Sequence, residues 1–570
     1  MASPPTTIPS TCSPSNHAAS VNEMDQTPSS RSHDQRNYVK PSPLVYLFKE
    51  SKLITTQLET PNSNERSTAF LAKNRIETIQ DAVASLLPTP ADLDIILQWT
   101  EKYWPIWPPC HYGPNLEDML QPGKLTEAKQ FLVRELKSRS AGTTSKALLW
   151  LTLCVQQLPR AVLGNVQLPM PQPDLVNVYV SLAKSLLEID DDSGGSLDGV
   201  SCMNMKFKVY INMGKPQRAW HWTRQAVSAS VNLGLHRASW ETNPCQALNW
   251  MLAWTPERFM ALILGLPSSV SSSHPGVSLE ANGATPLDRI RWVVATVGGK
   301  VIDRDQNSEK EQYATTVQIS QELEEGRDEM PEEWWQARPA DLPLAEYFLR
   351  QSSKTLYFIT LKLLHLPYML RSIKEKKYRH SWDTAMEAAR GIATSYIEFR
   401  AAPYADSDLC QLMDFQAFSG AIVLVIGHLL CPERTDEGTR SSDWVLIEDV
   451  GLALRRTAIT MDCPVATQAA QTLEVLNSAR KGGYVSPEDY NVVIPYFGQV
   501  RINQKMATGY QDNGTGQNTA VPNCIEFSMN EFISNYPLQP DFDLELEADW
   551  ADPALFDLNV NWAEIYTNTC

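Results

Sequence analysis

The chain has 570 residues, and 43% of them are hydrophobic, close to the globular average of about 45–50%. That excludes a wholly disordered polypeptide and leaves room for a large core, at roughly 100–200 residues per domain. The formal net charge of −17 repels phosphate, which excludes non-specific nucleic-acid binding by the chain as a whole; such binding would need a local basic patch.

The ten cysteines, at 12, 110, 154, 202, 245, 410, 431, 463, 524 and 570, are scattered, and none forms a CxxC pair. Zinc-finger and redox motifs both need close pairs, so no metal or cofactor is expected from them, and a reducing compartment fits. The opening Met1-Ala2-Ser3-Pro4-Pro5-Thr6-Thr7 carries neither the charged nor the apolar part of a leader peptide.

Residues 1–65 open on a Ser-, Pro-, Thr-, Asn- and Gln-rich stretch. It cannot bury enough apolar surface to offset its chain entropy and is expected to be disordered. From 66 to 505 the pattern is helical. Ile76, Ile79, Ala82, Val83, Leu86 and Leu87 follow helical spacing. Pro88, Pro90 and Asp92 then mark a break and a new N-cap. Further helices are expected near 126–139, 145–156, 174–188, 198–213, 216–234, 343–372, 381–400, 408–430, 444–460 and 465–478. The charged, Pro-bounded segment 303–340 reads as a surface connection with room for a short helix. The longest apolar stretch, Phe418 to Leu430, is shorter than the about 20 residues of a membrane span, so it reads as a buried helix and no membrane contact is expected. β-Hairpin signals are scarce, and the expected class is all-α, a large helical bundle or array between two disordered tails.

Residues 506–570 differ again, with no Lys or Arg after Lys505. Acids alternate with bulky apolar residues, among them Phe542, Leu544, Leu546, Trp550, Phe556 and Trp562. The acids keep the apolar groups solvated and accessible, which is the composition of an amphipathic activation segment. A strand or helix packing back on the core is the alternative.

The most informative stretch lies near the middle. Ser196 can cap a helix, and Gly214 can end it in the left-handed conformation. Pro216 suits the first turn of the next helix. Ala219, Thr223, Ala226 and Ser230 put small groups on one face of that helix, and Gly234 ends it, with Leu235 beyond. Gly214-Lys215-Pro216 followed by Ala219-Trp220, then Leu233-Gly234-Leu235-His236-Arg237, resembles the middle homology region of fungal zinc-cluster transcription factors. Glu257-Arg258-Phe259 with Leu264-Gly265-Leu266-Pro267, then Leu363-Leu364-His365-Leu366-Pro367, Ala385-Met386-Glu387-Ala388-Ala389-Arg390 and Tyr103-Trp104-Pro105-Ile106-Trp107-Pro108, are similar to flanking elements of that family. The likeness covers about residues 90–480.

Two departures stand out. The family carries six closely spaced cysteines N-terminal to this region, whereas the N-terminal part here offers Cys12 alone. Its Arg-Arg-x-Trp-Trp helix is replaced by a stretch with Trp250 and Trp254, and Pro256 is expected to kink or end that helix. The resemblance implies a nuclear transcription regulator of metabolic genes, including secondary-metabolite clusters. DNA contact would be indirect, through a DNA-binding partner, or through a zinc cluster missing from this sequence. Transcription machinery and a homo- or heterodimer partner are the expected contacts. A DNA-independent co-regulator or dominant-negative module is the alternative, and an all-α enzyme a more distant one.

Other residues have bland readings. His236 and Arg237 suit a helix C-terminus, where cations complement the dipole. His365 and His428, in apolar helices, read as buried and hydrogen-bonded, and His221 sits between two tryptophans. Lys374, Lys376, Lys377 and Arg379 form a basic run that is either a solvated turn or a nuclear-import signal. Trp220, Trp222, Trp250 and Trp254 read as core, or as the lining of an apolar effector pocket. No GxxxxGK[ST], GxGxxG, HExxH or GxSxG motif is found, so no catalytic residue is assigned.

Overall fold

The computed structural model describes residues 63–106, 123–189, 195–239, 243–271, 285–306, 313–336, 342–401, 410–481, 490–494, 498–502 and 525–528. Residues 1–62 and 529–570, which include all six tail residues named above, lie outside this range.

In chain order the body opens with helices α1 (Ser63–Ser85), α2 (Pro90–Thr100), α3 (Leu125–Glu135), α4 (Ala141–Gln156), α5 (Arg160–Leu163) and α6 (Gln172–Leu187). Next come α7 (Leu197–Asn212), α8 (Pro216–Asn232), α9 (Pro244–Leu264), α10 (Pro286–Gln306), α11 (Tyr313–Asp328) and α12 (Glu332–Trp335). The helical part ends with α13 (Leu344–Ser372), α14 (Arg379–Ala401), α15 (Gln411–Leu430), α16 (Glu437–Met461) and α17 (Pro464–Arg480). The local chemistry explains the starts. Thr89, not Asp92, caps α2, its hydroxyl accepting from Asp92 N–H at 3.2 Å, with Pro90 in the first turn. Ser140 and Asp436 cap α4 and α16 in the same way.

Neighbouring helices pack in sequence, α7 on α8, α8 on α9, α9 on α10, α10 on α11, and α13 on α14. The array also touches its own beginning. α7 meets α15, α5 meets α16, and the 3-10 turn Glu101–Ile106 meets α13. Arg160 of α5 pairs with Asp462 at the end of α16 at 2.5 Å. One core joins α1 to α4, α6 and α7 around Trp104 and Trp150, and another joins α13 to α17 around Trp382, Tyr396 and Phe418. The α13–α14 approach is close at Gly391, where a Cβ would run into the Phe358 ring.

The body is all-α, as expected from the periodicity. Four details differ from the sequence reading. Segment 303–340 is not a mere connection: α11 buries Thr316, Ile319, Ser320, Leu323 and Gly326 along one stripe. α9 runs through Pro256 without a break. Both faces of α9 are buried, and the Thr255 hydroxyl donates to the Met251 carbonyl one turn back, so packing outweighs the lost backbone bond. Strands β1 (Tyr490–Ile494), β2 (Gly498–Ile502) and β3 (Ile525–Ser528) form an antiparallel sheet in the order β1-β2-β3, bridging the boundary placed at 505. Val492 pairs with Val500, which pairs with Phe527. α15 is longer than its expected apolar stretch. It is long and apolar enough to cross a bilayer, but 94% of its apolar window is buried inside the body.

Candidate functional site

The motif residues assemble into a helical hairpin backed by α9. Ser196 caps α7 by accepting from Gly199 N–H at 3.1 Å. Asp198, in the first turn, holds Lys146 Nζ at 2.7 Å and accepts from the Thr143 hydroxyl at 2.8 Å, which pins the hairpin to α4. α7 ends in a Schellman closure. Lys215 N–H bonds Tyr210 O at 2.9 Å and Gly214 N–H bonds Ile211 O at 3.2 Å, with Gly214 at φ 69°. Only a residue without a Cβ takes that backbone freely. Pro216 then starts α8.

The small face reads as expected. Ala219, Thr223, Ala226 and Ser230 are all fully buried, and α8 lies directly on α7 and α9. Gly234 ends α8 at φ 76°, its N–H bonding Val231 O at 2.9 Å, and Leu235 beyond it is buried. Leu233 is half-buried against the same core. His236 packs edge-on against Trp250 with ring centroids 6.0 Å apart, while Arg237 is exposed. Both flank the helix end as the dipole argument expects.

The tryptophans divide between cores. Trp250 and Trp254 are fully buried and stacked at 6.4 Å. Trp222 joins them, with Lys206 Nζ 4.0 Å above its ring. Trp220 belongs to neighbouring clusters instead, under the Arg224 guanidinium at 4.8 Å. They do not come together around a single space. Burial pulls Lys206 down to about 8 and lowers His221 as well.

Sequence reasoning noted Glu257 and Arg258 only as part of a motif, and the structure gives them a task. Both are buried, and both hold the turn after α9. Glu257 accepts from Ser269 N–H at 2.7 Å, and Arg258 donates to Val270 O at 3.0 Å and Ser271 O at 2.5 Å. Burial raises the Glu257 carboxyl and lowers the Arg258 guanidinium. The turn starts at Gly265, φ 67°, where Leu266 N–H bonds Ala261 O at 2.9 Å.

Deeper in the body His365 lies 3.0 Å from both Ser381 Oγ and Ser320 Oγ, and burial holds it down to about 3. His428 Nε2 lies 2.7 Å from Asp443. Buried charges missed from the sequence include Arg400 with Asp414, and Lys362, bonded to Ser419 at 2.8 Å and Gln416 at 3.2 Å. Burial pulls Lys362 down to about 7. The available signal was a lone acid or base inside an apolar stripe. A surface recess of about 200 Å³ lies beside Arg390, Arg434, Trp382 and Thr439.

The basic run is exposed. Lys374, Lys376 and Lys377 sit on the turn between α13 and α14, and Arg379 starts α14. Lys377 pairs with Glu375 at 3.1 Å and Arg379 with Asp383 at 3.1 Å. Cys154, Cys202, Cys410, Cys431 and Cys463 are buried thiols, and burial pushes Cys202 up to about 12. Among the described residues no group of three or more His, Cys, Asp or Glu is placed to hold a metal ion. The hairpin is a close-packed helix pair whose small-residue face is buried.

No family model matches the chain, and no solved structure does. Curated relatives do. The chain is 26% identical over 384 residues to "Transcription factor sdnS" of Sordaria araneosa, covering 63% of this chain and 49% of that protein. It is 25% identical over 380 residues to the "Dehydrocurvularin biosynthesis regulator" of Alternaria cinerariae, covering 59% and 49%. It is 24% identical over 407 residues to "Probable transcription factor gsfR1" of Penicillium aethiopicum, covering 68% and 58%. The chain spans about half the length of the first two relatives. Its likeness is thus to fungal proteins named as transcription factors and as regulators of secondary-metabolite biosynthesis.

Proposed function

We propose that this chain regulates transcription in the nucleus, controlling a set of secondary-metabolite biosynthetic genes and performing no catalysis of its own. The observation that carries the reading is its likeness, over three fifths of its length, to proteins named as transcription factors and biosynthesis regulators. The rigid hairpin from Gly214 to Arg237 supports it as the centre of a scaffold. In this reading the helical body, 66–505, positions the regulator, and residues 506–570 recruit transcription machinery by ordering on their partner. With the whole chain at a net charge of −17, DNA is reached through a DNA-binding partner or a zinc cluster outside this sequence.

The test is a reporter assay in which residues 506–570 are fused to a heterologous DNA-binding domain. Activation that is lost when Phe542, Leu544 and Leu546 become Ala is the expected result. A silent fusion would point instead to a co-regulator that works by competition.

A further inference from the structure

α16 carries two apolar faces, and the fold uses one. Trp444, Ile447, Val450, Ala453, Leu454 and Met461 are buried in the core. On the opposite side Val445, Leu452 and Ile459 are 56%, 60% and 68% exposed, the three most exposed of the large hydrophobic residues in the described body. They stand seven residues apart, so they form one line down the helix over about 21 Å. Scattered exposed aliphatics need no explanation, but a line at seven-residue spacing gives the helix one continuous apolar strip.

The charges beside this line are arranged about Leu452. Three and four residues before it are Asp449 and Glu448, and three and four residues after it are Arg455 and Arg456. Acids therefore flank one half of the seam and bases the other. Turned end for end about Leu452, the face complements itself. Val445 meets Ile459 of the second copy, and Leu452 meets Leu452. Glu448 then faces Arg455 along one flank of the seam, and Asp449 faces Arg456 along the other. Asp449 and Arg456 make no ion pair among the described residues, while Arg455 pairs with Glu474, and Glu448 with Lys481, in exposed, weak contacts, Glu448 also accepting from Asn477 at 2.7 Å. A parallel arrangement would set acid against acid and base against base.

We propose that this face of α16 is a homodimer interface, an antiparallel two-fold helix pair centred on Leu452. A two-fold contact uses the same patch on both subunits, which is the self-complementarity seen here. One helix pair is smaller than a standard interface of about 800 Å² per partner, so the dimer is in the micromolar class and sensitive to salt. This inference does not rest on the regulatory reading.

The experiment is sedimentation velocity on the full chain at low ionic strength, at concentrations up to roughly 100 μM. The wild type should pass from 63.9 kDa toward twice that mass as concentration rises, and Leu452→Glu, which places two carboxylates on the axis, should stay monomeric. Two charge-swapped chains separate the register from mere stickiness. One carries Arg455→Glu and Arg456→Glu, the other Glu448→Lys and Asp449→Lys. Each alone should be monomeric, and an equimolar mixture should form a heterodimer tighter than the wild-type pair. A wild type that stays monomeric would overturn the proposal, the acidic tail or a foreign partner then being left to cover the seam. A dimer that survives Leu452→Glu would overturn it too, as would charge-swapped chains that do not pair.

Discussion

Arg390 grips both oxygens of Asp443, at 2.7 and 2.9 Å, tying α14 to α16 across the C-terminal core. His428 of α15 meets the same carboxylate at 2.7 Å, so one acid holds three helices. Burial alone would raise this carboxyl, but the bonds from His428 and Arg390 outweigh it and hold the group below its ordinary value. A depressed acid contributes stability above its unfolded pKa of about 3.9 and loses it as pH falls through the lower folded value. Asp443→Asn should therefore destabilise the body by about 3 kcal/mol at neutral pH and weaken the acid-unfolding transition. Urea melts at pH 7 and pH 3 check both effects.

His365 sets a second pH dependence of opposite chemical origin. Burial, with His380 and Arg304 nearby, keeps its imidazole from charging until about pH 3, whereas an unfolded histidine charges near about 6.5. Between those values the unfolded chain binds the extra proton, so stability falls as pH falls. Moving from pH 7.5 to 5.5 should cost roughly 1 kcal/mol through this residue. His365→Gln, which can still bond Ser320 and Ser381, should flatten the profile by that amount in denaturant titrations.

The left-handed glycines of the hairpin give a conformational test. Gly214 and Gly234 have φ of 69° and 76°, where an added Cβ costs about 1–2 kcal/mol. Gly214→Ala and Gly234→Ala should each lower stability by that much. Gly164 sits at φ −65° with only Ala161 O near a new Cβ, at 3.9 Å. Gly164→Ala should be neutral or stabilising, by up to about 0.5 kcal/mol. Thermal melts of the three variants side by side decide the point.

The basic turn gives a cellular test. Lys374, Lys376, Lys377 and Arg379 are exposed, and the contacts of Lys377 with Glu375 and Tyr378 and of Arg379 with Asp383 and the Arg434 carbonyl lie at the surface, where they contribute little to folding. Changing all four to Ala should leave the melting temperature within a few degrees of wild type. If the run serves import, a fluorescently tagged chain moves to the cytoplasm. Unchanged nuclear signal would identify the run as a solvated turn.

Much of this was legible in the sequence because local signals and packing agreed. Ser196, Gly214, Pro216 and Gly234 each specify a helix end by backbone chemistry alone, and the small face from Ala219 to Ser230 announces its burial. Where signals were local but packing decided, the reading failed. The buried stripe of α11 contains Thr316, Ser320 and Gly326 among its apolar members, so its periodicity is hidden by polar residues that the core nonetheless accepts. Pro256 signals a break that burial of both faces of α9 overrides. The clusters at Asp443 and Asp414 join residues 14 to 53 positions apart. No spacing rule reaches across separate helices to find such partners.

The most direct measurement of the central claim is RNA profiling shortly after the full chain is switched on in its native host. The account predicts coordinated induction of a contiguous set of biosynthetic genes, reduced when Gly234→Ala is expressed in its place. Unchanged transcripts, with a metabolite appearing or vanishing in step with the protein, would contradict it and mark the chain as a catalyst.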